Sequence, residues 1–372
     1  MKIFKFEYTY TCVDGSKEIS VVRLPFVKNG EWQGFTKDNK NNYMATVKFF
    51  IDQGEKGYNF KGLHWFKEND LFSWPDDKGR LGTFKYKLIK TDANNEDVFV
   101  LPNGVEMPRL SFGTWLIEDE DARTIVKKAI NAGYLHIDTA QAYRNEVGVG
   151  EAIKNSIFPR EDIFITSKVE AEIKTYKKAK ESIEKSLRKL DVDYIDLMLI
   201  HCPTPWKVYS LEGGYRYEKE NLEVWRALEE AYKEGKLRAI GVSNFNISDL
   251  KNIINNAEIP PMVNQIPVHL GNVDHALIDF CRAINIAVEA YSPLAHGRLL
   301  KDINFLTSVF SSVSTTDLKA TQIMLSYASS FSDVIIPKAS SMPHILDNMK
   351  YHISLDKKDI ATLERLYKKF SK

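Results

Sequence analysis

Residues 134–143, Tyr-Leu-His-Ile-Asp-Thr-Ala-Gln-Ala-Tyr, begin as a short apolar strand and stop on an acid and a phenol. A strand that ends on polar groups and hands over to a helical segment is half of a βα unit. The pattern recurs along the chain. Apolar stretches at Leu110–Trp115, Tyr134–Ala140, Ile163–Val169, Ile195–Pro203, Leu237–Asn244, Met262–Leu270, Ile286–Ala295 and Asp333–Ser340 each lead to a helix candidate or a long loop. Eight such units predict a closed (β/α)₈ barrel over about residues 97–372.

The intervening segments have helical period. In Tyr176–Leu190, Ala179, Ile183, Ser186, Leu187 and Leu190 share one stripe, with Lys and Glu elsewhere. Ile360, Leu363, Leu366 and Tyr367 predict a C-terminal helix beyond the barrel. Upstream the period is two. Phe4, Phe6, Tyr8 and Tyr10 alternate with polar residues, as do Ala45 to Ile51 and Phe84 to Leu88, and Asp14-Gly15-Ser16 and Asp76-Asp77-Lys78-Gly79 supply turns. Residues 1–99 hold 19 of the 43 Phe, Tyr and Trp residues, so 1–92 is expected to be a separate small all-β domain, an antiparallel sheet or sandwich. The junction falls near 91–98, before the turn at Pro102-Asn103-Gly104.

Bulk properties remove several classes of function. With 51 Lys+Arg against 50 Asp+Glu, no global field draws the chain to nucleic acid or an anionic membrane. No apolar run is long enough to span a bilayer, and Met1–Tyr10 alternates Lys with aromatics where a signal peptide would be continuously apolar, so a cytoplasmic location is expected. Cys12, Cys202 and Cys281 are too few and scattered for a disulfide framework or a metal cage.

In a barrel of this kind the active site sits at the C-terminal strand ends. There the sequence places Asp138 and Tyr143, then Ser167-Lys168, then His201-Cys202-Pro203, then Ser243-Asn244, then Asn264-Gln265. An acid, a phenol, an amine and an imidazole thus converge on one mouth.

Residues 97–372 resemble the aldo-keto reductase family, about three quarters of the chain. The matching stretches are FGTW at 112–115, HIDTAQAYRNEVGVGEAI at 136–153, ITSKV at 165–169, YIDLMLIHCP at 194–203, GVSNF at 241–245, NQIPVHL at 264–270, AYSPLA at 290–295 and IPKAS at 336–340. The resemblance implies reduction of an aldehyde or ketone with NADPH, and a catalytic set of Asp138, Tyr143, Lys168 and His201. It implies cofactor contacts from Gly113, Thr114, Ser243, Asn244 and Gln265, with Tyr291 stacked on the nicotinamide and 292–296, including Ser292, Leu294 and His296, around the pyrophosphate. Lys338, Ser340, Ser341 and His344 would face the 2′-phosphate, and Asp347 and Asn348 the adenine. Here Ala339 stands where the family often has serine and His344 where it has arginine, so NADPH is the cofactor expected and use of NAD beside it stays open. Pro267-Val268 also departs from the family's acidic and aromatic pair. Trp115, Trp206 and the loop 207–220, with Tyr209, Tyr215 and Tyr217, are the substrate-pocket candidates, and the short C-terminus predicts an open pocket.

The implied chemistry accounts for the residue types. Hydride transfer to a carbonyl builds charge on oxygen that a positioned proton donor must meet. The donor would be Tyr143, its pKa lowered by the Lys168 ammonium, with Asp138 pairing Lys168 and His201 orienting the substrate. His136 and His269 read as scaffold histidines, and Cys202 as an inert thiol. Two other functions stay open: a nicotinamide-binding redox sensor, and a sugar reductase targeted by a carbohydrate-binding module in which Trp32, Trp65, Phe66 and Trp74 form a platform. The N-terminal region would otherwise contact a protein partner or a second copy, leaving monomer or dimer open.

Overall fold

The computed structural model describes residues 98–372 except 157, 210–215, 313–318, 350, 352–354 and 371–372, with backbone alone at 303 and 310; within 1–97 it describes the backbone of nine strands between Ile3 and Lys90. Four of those strands, Lys17–Pro25, Ile3–Thr11, Leu81–Lys90 and Leu71–Pro75, pair antiparallel in that order. The side chains of Trp65, Phe66 and Trp74, and Cys12, Trp32 and Tyr215 altogether, lie outside the described residues.

From residue 98 a short hairpin, Val98–Val100 with Glu106–Pro108, turns at the Pro102-Asn103-Gly104 segment. Eight parallel strands follow in sequential order: β1 (Phe112–Gly113), β2 (His136–Asp138), β3 (Phe164–Val169), β4 (Ile195–Ile200), β5 (Leu237–Ser243), β6 (Val263–Pro267), β7 (Ala287–Tyr291) and β8 (Val334–Ile336). A parallel bridge from Leu110 to Ile335, with Gly113 N–H donating to Pro337 O, joins the first strand to the eighth and closes the ring. The strands are shorter than their apolar stretches because the polar residues at each end leave the ladder.

The helices between them are α1 (Asp119–Asn131), α2 (Glu146–Lys154), α3 (Tyr176–Leu190), α4 (Glu218–Lys233), α5 (Ile247–Asn256), α6 (His275–Ala283), α7 (Ala320–Phe331) and α8 (Met342–Asn348). The expected α3 stripe is the buried one, Ala179, Ile183, Ser186, Leu187 and Leu190. Acidic residues open α1 and Lys128 lies in its last turn, which suits the helix dipole. Glycine decides the packing of α2: a Cβ on Gly150 would lie 2.3 Å from Leu190 O, and one on Gly148 2.1 Å from Asp119 O. Three helices lie outside the repeat. Lys357–Phe370 is the C-terminal helix the sequence predicts, burying Leu363, whereas Trp206–Tyr209 runs into the stretch 207–220 expected to be a loop and Ile303–Ser312 lies in the connection after β7, where no separate helix is expected. Among the described residues no helix is long and apolar enough to cross a membrane.

Candidate functional site

Parallel register aligns Gly113 with Asp138 and Asp138 with Thr166, so the ends of β1–β3 meet at one level. Alternation along β3 then sorts the side chains. Thr166 and Lys168 share the inner face, while Ser167 between them turns outward and donates to Glu146 of α2 at 2.8 Å.

Lys168 is fully buried. Its Nζ donates to both carboxylate oxygens of Asp138 at 2.7 Å, to Thr139 O at 3.1 Å and to the Tyr143 hydroxyl at 3.1 Å. Burial opposes the ammonium, but Asp138 and Tyr143 outweigh it and hold Lys168 above the usual lysine value. Tyr143 arrives on a 3₁₀ turn, Gln141–Tyr143, that leaves β2. Its phenol is displaced in the direction opposite to the sequence-based expectation. Burial pushes it up and outweighs the downward pull of Lys168, so the hydroxyl stays protonated well into the alkaline range.

His201 follows β4 and stands edge-on to Tyr143 and Trp206, with ring centroids 5.6 and 5.2 Å away. Burial, and then Lys168, hold it well below the ordinary histidine value, so the ring is neutral. No described group bonds its Nδ1. Beside it, Asn244 donates to His201 O at 3.0 Å and accepts from the Tyr291 hydroxyl at 2.8 Å, while Ser243 Oγ donates to Gln265 O.

Several of these groups, with Lys168 buried behind them, line a cavity of about 570 Å³. Gly113, Asp138, Tyr143, His201, Ser243, Asn244 and Gln265 form its floor, Tyr291 to Leu294 and His296 one wall, and the exposed rings of Trp115 and Trp206 its rim. Thr114 is buried beneath, its hydroxyl donating to Asp138 O. His296 packs edge-on against Trp115, centroids 5.1 Å apart, in a run of left-handed residues, Ala295 to Gly297. Lys338 lies at the cavity edge and donates to Leu116 O. Ser340, Ser341 and His344 are exposed, Asp347 is ion-paired with Lys319, and Asn348 is buried.

Sequence reasoning missed three residues. Asn145 ties the β1 and β2 loops together, donating to Thr114 O and Ile117 O and accepting from Thr139. Glu146 is buried behind β3. Glu289 of β7 is fully buried in the barrel beneath the cavity, and Gln265 Nε2 bridges it to Asp138, 2.8 Å from each carboxylate. A lone acid inside Ala287-Val288-Glu289-Ala290 was the available signal. The two scaffold histidines are bonded, His136 to Pro108 O and Thr166 Oγ1, and His269 to Leu270 O. Burial pushes the Cys202 thiol up to about 11, which leaves it inert.

A family model described as the Aldo/keto reductase family matches residues 109–368. The glyoxal reductase of Bacillus subtilis (strain 168) is 40% identical over 275 residues, 73% of this chain and 94% of that protein. The methylglyoxal reductase DkgA of Escherichia coli (strain K12) is 33% identical over 274 residues, 73% of this chain and 94% of that one. A crystal structure of a Bombyx mori aldo-keto reductase in complex with NADP superposes with a TM-score of 0.62 at 30% identity, covering 72% of this chain and 92% of that chain. The eight-stranded ring and a family match over more than half of the sequence lead to one conclusion: this chain belongs to the aldo/keto reductase family.

Proposed function

We propose that this protein reduces a small aldehyde, ketone or dicarbonyl compound to the alcohol with NADPH, using Tyr143 as proton donor, Lys168 and Asp138 as its support, and His201 to orient the substrate. The observation that carries the reading is the 3.1 Å contact between the Tyr143 hydroxyl and the buried Lys168 ammonium, on the floor of the cavity. Relatives named glyoxal and methylglyoxal reductase favour a compact, reactive carbonyl as substrate.

The site suits a dinucleotide. About 570 Å³ exceeds what a small carbonyl fills, Tyr291 offers an aromatic face, Ser243, Asn244 and Gln265 offer amide and hydroxyl partners, and Lys338 offers a cation at the edge. NADPH, when bound, supplies the hydride. The remaining steps belong to the chain. His201, neutral, donates a ring N–H to the carbonyl oxygen and fixes its place. As negative charge grows there, the Tyr143 O–H bond breaks and its proton passes to that oxygen. The phenolate left behind is stabilised by Lys168, whose own charge Asp138 balances. A proton from solvent then restores the phenol.

For the 2′-phosphate we propose Lys338, Ser340, Ser341 and His344, with Asp347 and Asn348 toward the adenine. Lys338 must release Leu116 O to serve, and a histidine in place of a planar bidentate arginine leaves room for NADH. We also infer that residues 1–92 form an all-β domain separate from the barrel at 97–372. A nicotinamide-binding sensor has no use for a phenol held against a buried ammonium, so the enzyme reading is preferred. NADPH absorbance with methylglyoxal and a nitrobenzaldehyde tests it: turnover is expected, faster with NADPH than NADH. Tight NADPH binding without turnover of any carbonyl would favour the sensor.

A further inference from the structure

Glu289 has no part in the scheme above, yet it is fully buried below the catalytic groups. Its register neighbour across β6 is Gln265, and Glu289 Oε2 accepts from Gln265 Nε2 at 2.8 Å. Its other oxygen, Oε1, has no hydrogen-bond donor among the described residues and stands 3.5 Å from His136 Nε2. The tautomer of His136 can be deduced. Nδ1 lies 3.1 Å from Pro108 O, and a carbonyl only accepts, so Nδ1 carries the hydrogen. Burial holds His136 down at about 3, so the ring is neutral and Nε2 presents a lone pair. That lone pair already accepts from Thr166 Oγ1 at 2.8 Å, so the ring offers an ionised Oε1 no donor, only the negative edge of a nitrogen 3.5 Å away. A proton on Oε1 removes that uncompensated buried charge and points an O–H, in place of a bare anion, at the nitrogen edge that Thr166 also uses.

We propose that Glu289 is a positioning residue that acts as an uncharged carboxylic acid: with Asp138 it pins Gln265 Nε2, so that the Gln265 carbonyl is the group left for the cofactor amide, and it leaves Lys168 to a single carboxylate. The inference rests on the proposed reductase reading and deepens it. Both NH₂ hydrogens of Gln265 are held by the two acids, so the amide cannot flip. Neutrality matters because an anionic Glu289 would disfavour the Tyr143 phenolate and make Tyr143 a weaker acid. The titratable groups facing Glu289 are His136 and Asp138 from β2, Lys168 from β3 and Tyr143 from the turn after β2; β6 brings the uncharged Gln265, and its β8 register neighbour is Val334. Burial, then Asp138, raises the carboxyl to about 8, which agrees with the geometry.

The test compares wild type with Glu289→Gln and Glu289→Ala. Glutamine reproduces the uncharged acid, its carbonyl accepting from Gln265 and its NH₂ placed toward His136 where the acid O–H stood, but cannot ionise. One unit above its titration point about a tenth of the acid form remains, so wild-type kcat/KM should fall about tenfold between about pH 7 and about pH 9. Glu289→Gln should match wild type within about twofold at pH 7 and hold that value at about pH 9, with NADPH Kd from fluorescence titration also within about twofold. Glu289→Ala, freeing the amide, should weaken NADPH about tenfold. An infrared difference spectrum of the wild type between about pH 6 and about pH 10 should show a protonated-carboxyl stretch that Glu289→Gln lacks, a readout that needs neither turnover nor a tolerant variant. Superimposable pH profiles for wild type and Glu289→Gln, a Glu289→Gln Kd as weak as that of Glu289→Ala, or absence of the carboxyl band would each overturn the proposal. Absence of carbonyl turnover in the wild type would instead sink the reductase reading.

Discussion

Replacing Lys168 with Met separates two roles that one ammonium fills. Lys168 is fully buried, and its four donor contacts reach Asp138 twice, Thr139 O and Tyr143. Two unit charges 3.1 Å apart attract by about 5 kcal/mol at an effective dielectric of about 20, which bounds the help a Tyr143 phenolate receives. Asp138 beside them cancels part of it. With about 3–4 kcal/mol left, kcat should fall by about 10²–10³ at saturating NADPH. Stability should fall too, by about 3–5 kcal/mol, because Asp138 loses its cation and stays buried. Adding Asp138→Asn removes that stranded charge. The double variant Asp138→Asn with Lys168→Met should therefore regain much of the stability in urea denaturation while remaining as slow as Lys168→Met. A folded Lys168→Met enzyme within about tenfold of wild-type kcat would refute the reasoning, since the ammonium would then not be what makes the phenol a usable acid.

His136 sets a second expectation, for stability against pH. In the unfolded chain it binds a proton near its ordinary value of 6.5, whereas burial keeps the native ring neutral down to about 3, so its contribution is fully present above 6.5 and drains away as pH falls toward 3. Chemical denaturation across that window should show a loss of a few kcal/mol that His136→Gln reduces; parallel curves would contradict it. Gly150→Ala sets a Cβ 2.3 Å from Leu190 O, a backbone atom that cannot step aside, and should cost at least about 2 kcal/mol, with an unchanged urea midpoint as the opposing result. His344→Arg should raise the preference for NADPH over NADH by about tenfold through a bidentate contact, and an unchanged KM ratio would place the phosphate elsewhere.

Much of the barrel was legible because its signal is redundant. Eight apolar stretches each contain a strand, and the α3 stripe is buried as its period requires. Strand ends were overextended for a physical reason. His201 and Cys202, or Ser292 to Ala295, continue the apolar or small run, yet the chain must leave the ladder there to shape the cavity. The helices at Trp206–Tyr209 and Ile303–Ser312 escaped because they sit inside long connections. Asp138, Tyr143, Lys168 and His201 were visible as polar groups at strand ends. Glu289 was not, since it sits in mid-strand and faces the interior by alternation with Val288 and Ala290. The direction of the Tyr143 displacement was also beyond the sequence, which named the neighbouring ammonium but could not weigh it against burial of the phenol.

The central claim is that one phenolic proton completes the reduction, and Tyr143→Phe interrogates it with a single atom removed from the cavity floor. Measured at saturating NADPH with methylglyoxal, kcat should drop by at least about 10³ while NADPH Kd stays within about twofold. A variant that turns over within about tenfold of wild type would contradict the account, because the proton would have to come from another group.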